Sequence, residues 1–320
     1  MAVYTTIPPE TLEAFLAEYD LGALKSVDGI AEGVENTNYL IETEAGRAIL
    51  TLYEKRVNEA ELPWFLGLMQ HLARRGLKCP TPVIARDGVA LRRLMDRPAA
   101  ITTFLTGRPI VTITAGACFS LGQALARLHL LGDGFRARRE NSLGPQAWLP
   151  LLDSCHGAGD SLYPGLTEEL QLAIADVLKA WPQEGTLPQG QIHADLFPDN
   201  VFFEGGNVSG LIDFYFACTD LYAYDLAICL NAWCFPDEQT ASPALIAGMM
   251  GGYQSVRPLA AEERVAMPAL VQGAAIRFLL TRLFDWINTP ADAIVTRKDP
   301  LAYHHRLRAW RENAKGLLHV

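Results

Sequence analysis

Gln191-Ile192-His193-Ala194-Asp195-Leu196-Phe197-Pro198-Asp199-Asn200-Val201, followed by Leu211-Ile212-Asp213-Phe214, is the stretch on which the reading of this chain turns. Asp195, Asn200 and Asp213 are spaced by five and thirteen residues. Between them lie a loop and a strong hairpin signal, Glu204-Gly205-Gly206-Asn207, which joins apolar runs at 200–203 and 208–214. This arrangement lets a carboxylate, an amide oxygen and a second carboxylate converge on one point. Phosphoryl transfer requires such a set: a base that orients the attacking hydroxyl, and oxygen ligands that hold Mg²⁺ against nucleotide phosphates. Taken singly the residues read more plainly, Asp199-Asn200 as a turn and Asp213 as a strand end. The hairpin between them and the strand-rich segment before them favour the joint reading.

Upstream of this stretch, Leu12, Phe15, Leu16 and Tyr19 fall at helical spacing, with Gly22 placed to end the helix. The period then changes to that of strands over 26–31, 38–43 and 47–53. A second helix starts near Pro63, with Phe65, Leu68, Met69 and Leu72 on one face and Gly76 as its stop. Asp87-Gly88 predicts a further hairpin, and 99–105 a strand. After Gly107-Arg108-Pro109 the composition turns helical, over 115–131, 224–233, 243–253, 262–287 and 301–317, with the short β insert between. Strands first and helices after predict an α+β fold with two lobes, 1–106 and 107–320. Ligand sites favour domain interfaces, so the join and the β insert are where chemistry is expected.

The 320 residues are 50% hydrophobic and 20% charged, which excludes a disordered or fibrous chain. A formal charge of −9 disfavours nucleic acid and anionic membranes as partners, so a polyanionic substrate needs a local positive site or a metal ion. No uninterrupted apolar run approaches the ~18 residues of a membrane span. The start, Met-Ala-Val-Tyr-Thr-Thr-Ile-Pro-Pro, lacks the basic and apolar regions of a signal peptide, and the expected location is cytoplasmic. The six cysteines form no C-x-x-C pair and sit among apolar neighbours, the pattern of reduced thiols used as small hydrophobes.

His-x-Asp-x-x-x-x-Asn followed by Ile-Asp-Phe resembles the catalytic and metal-binding segments of the protein-kinase-like fold, in its small-molecule branch of aminoglycoside and choline kinases. Ala194 suggests the branch, since regulated protein kinases carry Arg there. The resemblance implies Asp195 as catalytic base, Asn200 and Asp213 as Mg²⁺ ligands and His193 as a brace for the loop. Asp225 matches the branch's later Asp at a helix start, where it would cap that helix and support the catalytic loop. ATP and Mg²⁺ are the implied cofactors. The loop 29–38, with Gly33, Asn36, Thr37 and Asn38, is where the resemblance puts the ATP phosphate cover; by composition alone it also reads as a plain hairpin loop. The segment 102–107 is the implied hinge, with backbone groups of Thr103 and Leu105 facing adenine.

Two residues depart from that pattern. Thr51 stands where the family's strand Lys aligns, and the following helix has no central Glu. Lys55 shares the strand face of Thr51 and Tyr53 by the period of two; it either reaches the phosphates or stands exposed at the strand end. The second departure is Asp213-Phe214-Tyr215, with Tyr where the family often has Gly.

Within the branch, the phrases at 29–36, 50–56, 193–200 and 277–283 are similar to those of bacterial homoserine kinases, Thr51 included. This implies ATP-dependent phosphorylation of the side-chain hydroxyl of L-homoserine on the route to threonine. A zwitterionic amino acid needs an acceptor for its ammonium and a donor for its carboxylate. Arg282 and Asp285, three residues apart on one helix face, answer to that need or to a plain salt bridge. Arg277 projects about 140° away from Arg282, so a straight helix aims only one of them at a ligand. Asp220 and Tyr222 are further candidates, whereas Trp233 and Trp286 read as core. The alternatives are another hydroxylated acceptor, such as an aminoglycoside, choline or a sugar, or a catalytically silent nucleotide-binding protein.

Overall fold

In the computed structural model, which describes residues 5–30, 36–54, 58–289 and 297–319, strands and helices segregate along the chain as the sequence predicts. The residues group into two units, Met1–Thr106 and Gly107–Val320. The first holds α1 (Pro9–Leu16), β1 (Leu24–Ile30), β2 (Thr37–Thr43), β3 (Gly46–Leu52), α2 (Leu62–Arg74), β4 (Arg92–Leu94) and β5 (Arg97–Thr103). Its strands form one antiparallel sheet in the order β1-β2-β3-β5-β4. The period of two turns Tyr39 and Ile41 of β2 inward. Ala48, Leu50 and Leu52 of β3 and Ala99 and Ile101 of β5 join them, and Leu12, Phe15, Leu16 and Tyr19 close that core. Gly33 and Lys55 lie outside the described residues.

Asp87-Gly88 does form a turn, with the Gly88 N–H on the Ala85 carbonyl, but the hairpin itself reverses later, at Met95-Asp96 between β4 and β5. Both residues take positive φ, 53° and 58°, as a tight two-residue hairpin demands. Neither is the Gly or Asn that marks such a turn in a sequence. The Arg93 guanidinium holds the reversal through the Asp96 carbonyl at 2.7 Å.

The second unit holds β6 (Arg108–Pro109), α3 (Ala115–Leu131), α4 (Pro145–Asp153), α5 (Leu166–Ala180), β7 (Gln189–Ile192), β8 (Val201–Glu204), β9 (Asn207–Leu211), β10 (Cys218–Leu221), α6 (Tyr222–Trp233), α7 (Pro243–Gln254), α8 (Ala261–Asn288) and α9 (Leu301–Leu318). The sequence reading does not include α4, α5, β6, β7 and β10. Pro145 opens α4 at a first helical position, and Leu166, Leu170, Ala173, Ile174 and Val177 give α5 a buried face. The β8–β9 hairpin turns at Gly205-Gly206, both at positive φ, as their sequence requires. However, β9 stops at Leu211, because Asp213 takes φ 64° and Phe214 enters a single helical turn.

Helix α3 meets α7 backbone to backbone: a Cβ on Gly252 would lie 2.0 Å from the Phe119 carbonyl oxygen, and one on Gly248 2.4 Å from that of Ala115. Among the described residues α8 is the one helix long and apolar enough to cross a membrane, by length and composition. Its most apolar window is 72% buried inside the protein, and α6 and α9 pack along it. It is the core helix of this unit.

Candidate active site

Strand β7 delivers the chain into a tight turn at Ala194, whose φ of 63° is left-handed, and Asp195 follows. Asn200 is tied back to it: its Nδ2 donates to the Asp195 carbonyl at 2.9 Å and to Oδ2 of the Asp195 carboxylate at 3.2 Å. With both amide bonds directed there, Oδ1 remains as the acceptor that Asn200 can offer a cation. Asp213 is brought alongside through its neighbour Ile212. The Ile212 N–H donates to the Asn200 carbonyl at 3.0 Å, and its carbonyl accepts from His193 Nε2 at 3.0 Å. The backbone of one residue thus joins the loop of Asp195 and Asn200 to the strand end that carries Asp213.

His193 is fully buried, its ring tilted against that of Phe214 with centroids 4.6 Å apart. Burial drives its ring from the ordinary 6.5 down to about 4, so it is neutral, with its proton on Nε2 facing the Ile212 carbonyl. That bond runs from the loop of Asp195 to the residue that precedes Asp213. Asp225 lies beneath the turn, accepting from the His193 and Ala194 N–H groups at 2.8 Å each and from His129 Nε2 at 3.0 Å. Burial raises the Asp225 carboxyl, but the His129 hydrogen bond and the loop amides outweigh it, and the net direction is down. The cap expected of Asp225 is not found. Helix α6 begins at Tyr222 and its N-cap is Leu221, so Asp225 sits inside the first turn and its oxygens go to the loop.

Burial pushes the Asp195 carboxyl up to about 8, Arg277 opposes the rise and Asp213 adds to it. A buried carboxyl raised in this way is ionised more readily beside a cation, and a donor set of amide and carboxylate oxygens suits a hard one such as Mg²⁺, with water or phosphate completing the shell. Among the described residues no group of three or more His, Cys, Asp or Glu forms a closed metal cage.

The remaining candidates are dispersed. Arg282 donates to the Asp299 carbonyl at 3.1 Å and lies 4.6 Å over the Tyr303 ring, while Asp285 is exposed. Asp220 stands on β10 opposite Gly190, away from the loop end of that ladder, and accepts from Asn141 Nδ2 at 2.7 Å. In the first unit the side chains of Asn36, Thr37 and Asn38 are engaged by the chain itself, Asn38 with Thr51 on the sheet face opposite Tyr39 and Ile41. Asn36 Oδ1 accepts from the Glu54 N–H at 3.2 Å, Thr37 donates to Glu54 Oε1 at 2.7 Å, and Asn38 Oδ1 accepts from Thr51 at 2.8 Å. The Thr103 N–H donates to the Thr81 carbonyl at 2.9 Å, which removes it as an adenine donor; Leu105 lies just past β5.

Sequence reasoning missed the contacts that three residues make around the loop, weighing Arg277 only as a ligand candidate, reading Trp233 as core and passing over His129. Arg277 Nη1 donates to the Ala194 carbonyl at 2.7 Å, Trp233 Nε1 donates to the Leu196 carbonyl at 2.7 Å, and His129 holds Asp225. Each is a polar atom on an otherwise apolar helical stretch, and that isolation is the signal that could have found them.

The family described as "Phosphotransferase enzyme family" matches residues 26–259. An aminoglycoside phosphotransferase from Alicyclobacillus acidocaldarius has the same fold, with a TM-score of 0.71 over 99% of this chain and 98% of that one at 17% identity. A choline kinase from Cryptosporidium parvum gives 0.66 over 98% and 97% at 13% identity. Fold and family together define a phosphotransferase of the protein-kinase-like class. Homoserine kinase from Gluconobacter oxydans is 66% identical over 308 residues, 96% of this chain and 98% of that protein. Homoserine kinase from Gluconacetobacter diazotrophicus is 60% identical over 311 residues, 97% of each. The chain belongs to the homoserine kinases of this phosphotransferase family.

Proposed function

We propose that this chain transfers the γ-phosphoryl group of ATP to the side-chain hydroxyl of L-homoserine, giving O-phospho-L-homoserine on the route to threonine. The observation that carries the reading is the backbone of Ile212, whose N–H and carbonyl tie the Asp195–Asn200 loop to the Asp213 strand end. Asp195 accepts the hydrogen bond of the acceptor hydroxyl and then its proton, while holding the oxygen in line with the phosphorus. Asn200, through Oδ1, and Asp213 are the residues that would hold Mg²⁺. A bound Mg²⁺ supplies positive charge for the phosphate oxygens, which a chain of net charge −9 lacks. His193 and Asp225 keep the loop in register and take no proton from the substrate.

In the first unit, nucleotide contacts fall to the loop of Gly33, to the backbone at Leu105 and to Lys55. For the amino-acid end, Arg282 is the proposed carboxylate partner and Asp285 the ammonium partner. The six cysteines are free and buried, which suits the reducing cytoplasm. A coupled assay of ADP release with ATP, Mg²⁺ and a panel of homoserine, serine, threonine, choline and an aminoglycoside tests the reading. Turnover with homoserine well above the rest is expected; preference for choline or the aminoglycoside overturns the assigned acceptor.

A further inference from the structure

The Ala194 turn is gripped from both sides by buried charge. Its N–H donates to Asp225; its carbonyl accepts from Nη1 of Arg277, which reaches in from α8, 83 positions along the chain. Alanine in a left-handed turn is sterically strained, and such a conformation persists only where its surroundings impose it. Asp225 fixes one end of the peptide run. Something must fix the other, because a carbonyl free to rotate would let the turn relax and swing the next side chain, that of Asp195. Arg277 is only 2% exposed, so it is out of reach of substrate. Its guanidinium lies 4.5 Å from the Phe278 ring and 5.7 Å from that of Phe216, a slot that leaves it little freedom to turn. Its Nε is buried with no hydrogen-bond partner among the described residues. A charge buried with one donor unsatisfied is an expensive way to fill a core, and the bond to Ala194 gives it a purpose.

From this clamp we infer that Arg277 is a positioning residue of the reaction: it holds the Ala194 peptide in its left-handed turn and so aims the Asp195 carboxylate at the acceptor hydroxyl. The inference rests on the kinase reading above. Regulated protein kinases carry Arg at the position of Ala194; here a guanidinium reaches the same turn from a distant helix.

The test is Arg277→Lys, alone and with Ala194→Gly, since glycine adopts the left-handed turn without strain. Arg277→Lys is expected to lower kcat by about tenfold or more with both KM values within about threefold, and Ala194→Gly in that background to restore about threefold or more. A kcat loss that Ala194→Gly leaves untouched, or a KM effect with kcat intact, overturns the clamp. If Arg277→Lys does not accumulate as folded protein, Arg277→Met, which keeps an unbranched apolar stem but removes the donor to the Ala194 carbonyl, is judged by the same criteria. If the parent protein fails to turn over homoserine, the functional reading falls and hydrogen exchange over residues 192–196 judges the clamp by itself. Faster exchange in the Arg277 variant that slows again with Ala194→Gly supports it; exchange unchanged by the variant sinks it.

Discussion

Thr51 in the first unit and Ala194 in the second both occupy buried polar sites, and they are stabilised in opposite ways. Thr51 is 7% exposed, pairs across the sheet with Asn38 and donates to its side-chain oxygen at 2.8 Å. The position aligned with the family's strand Lys thus holds one neutral hydrogen bond inside a ladder whose geometry β2 and β3 already fix. At Ala194 no ladder fixes the backbone, and the left-handed turn is imposed by a buried carboxylate below and a buried guanidinium beside it. Charge is buried where the peptide must be held against its own preference, and a neutral bond suffices where regular pairing does the holding. Losing a buried charge that has committed partners costs several times more than losing one neutral bond.

That contrast can be broken or sharpened by experiment. The largest effect is expected at the residue the turn presents. Asp195→Asn keeps size and shape but removes the base, and kcat should fall about a thousandfold with ATP affinity by calorimetry nearly unchanged; near-normal turnover would remove Asp195 from its role. Next comes Asp225→Ala, which strands two loop N–H groups and His129. Urea unfolding should show a loss of about 3–5 kcal/mol, and a loss under 1 kcal/mol would mean that water replaces the carboxylate.

Acid supplies a third probe. The unfolded His193 ring takes its proton near 6.5 and the folded ring only near 4. Between those values the unfolded chain holds more protons, so stability falls as pH falls. The contribution is fully present above 6.5 and lost by about 4, amounting to about 3 kcal/mol. His193→Gln should flatten that part of the stability profile. The smallest effect is expected in the sheet, where Thr51→Val leaves Asn38 Oδ1 without its donor. A stability loss of about 1 kcal/mol with kcat within about twofold is predicted; a much larger fall in kcat would mean that the hydroxyl serves the nucleotide, and the contrast between the two regions would fail.

What could be read from the amino-acid order was whatever is local along it. The periods of β2, β3 and α3, the glycine turn of the β8–β9 hairpin and the spacing of Asp195, Asn200 and Asp213 all lie within short windows. Dihedral preference and side-chain periodicity write themselves directly into such windows. The Met95-Asp96 reversal was hidden because two ordinary residues take left-handed angles there under tertiary restraint. Asp225 was visible as an acidic residue near a helix start, but its orientation toward the loop rather than the helix end was not.

The sequence by itself determined an α+β chain and the order and spacing of Asp195, Asn200 and Asp213. Only the tertiary structure decided that His129 and Arg277, 96 and 83 positions from their partners, meet at the same turn. Those meetings depend on how α3 and α8 lie in the helical packing, where glycines bring backbones together and apolar faces exclude water. No local period encodes that geometry, because it belongs to the packed helices jointly and to none of them alone.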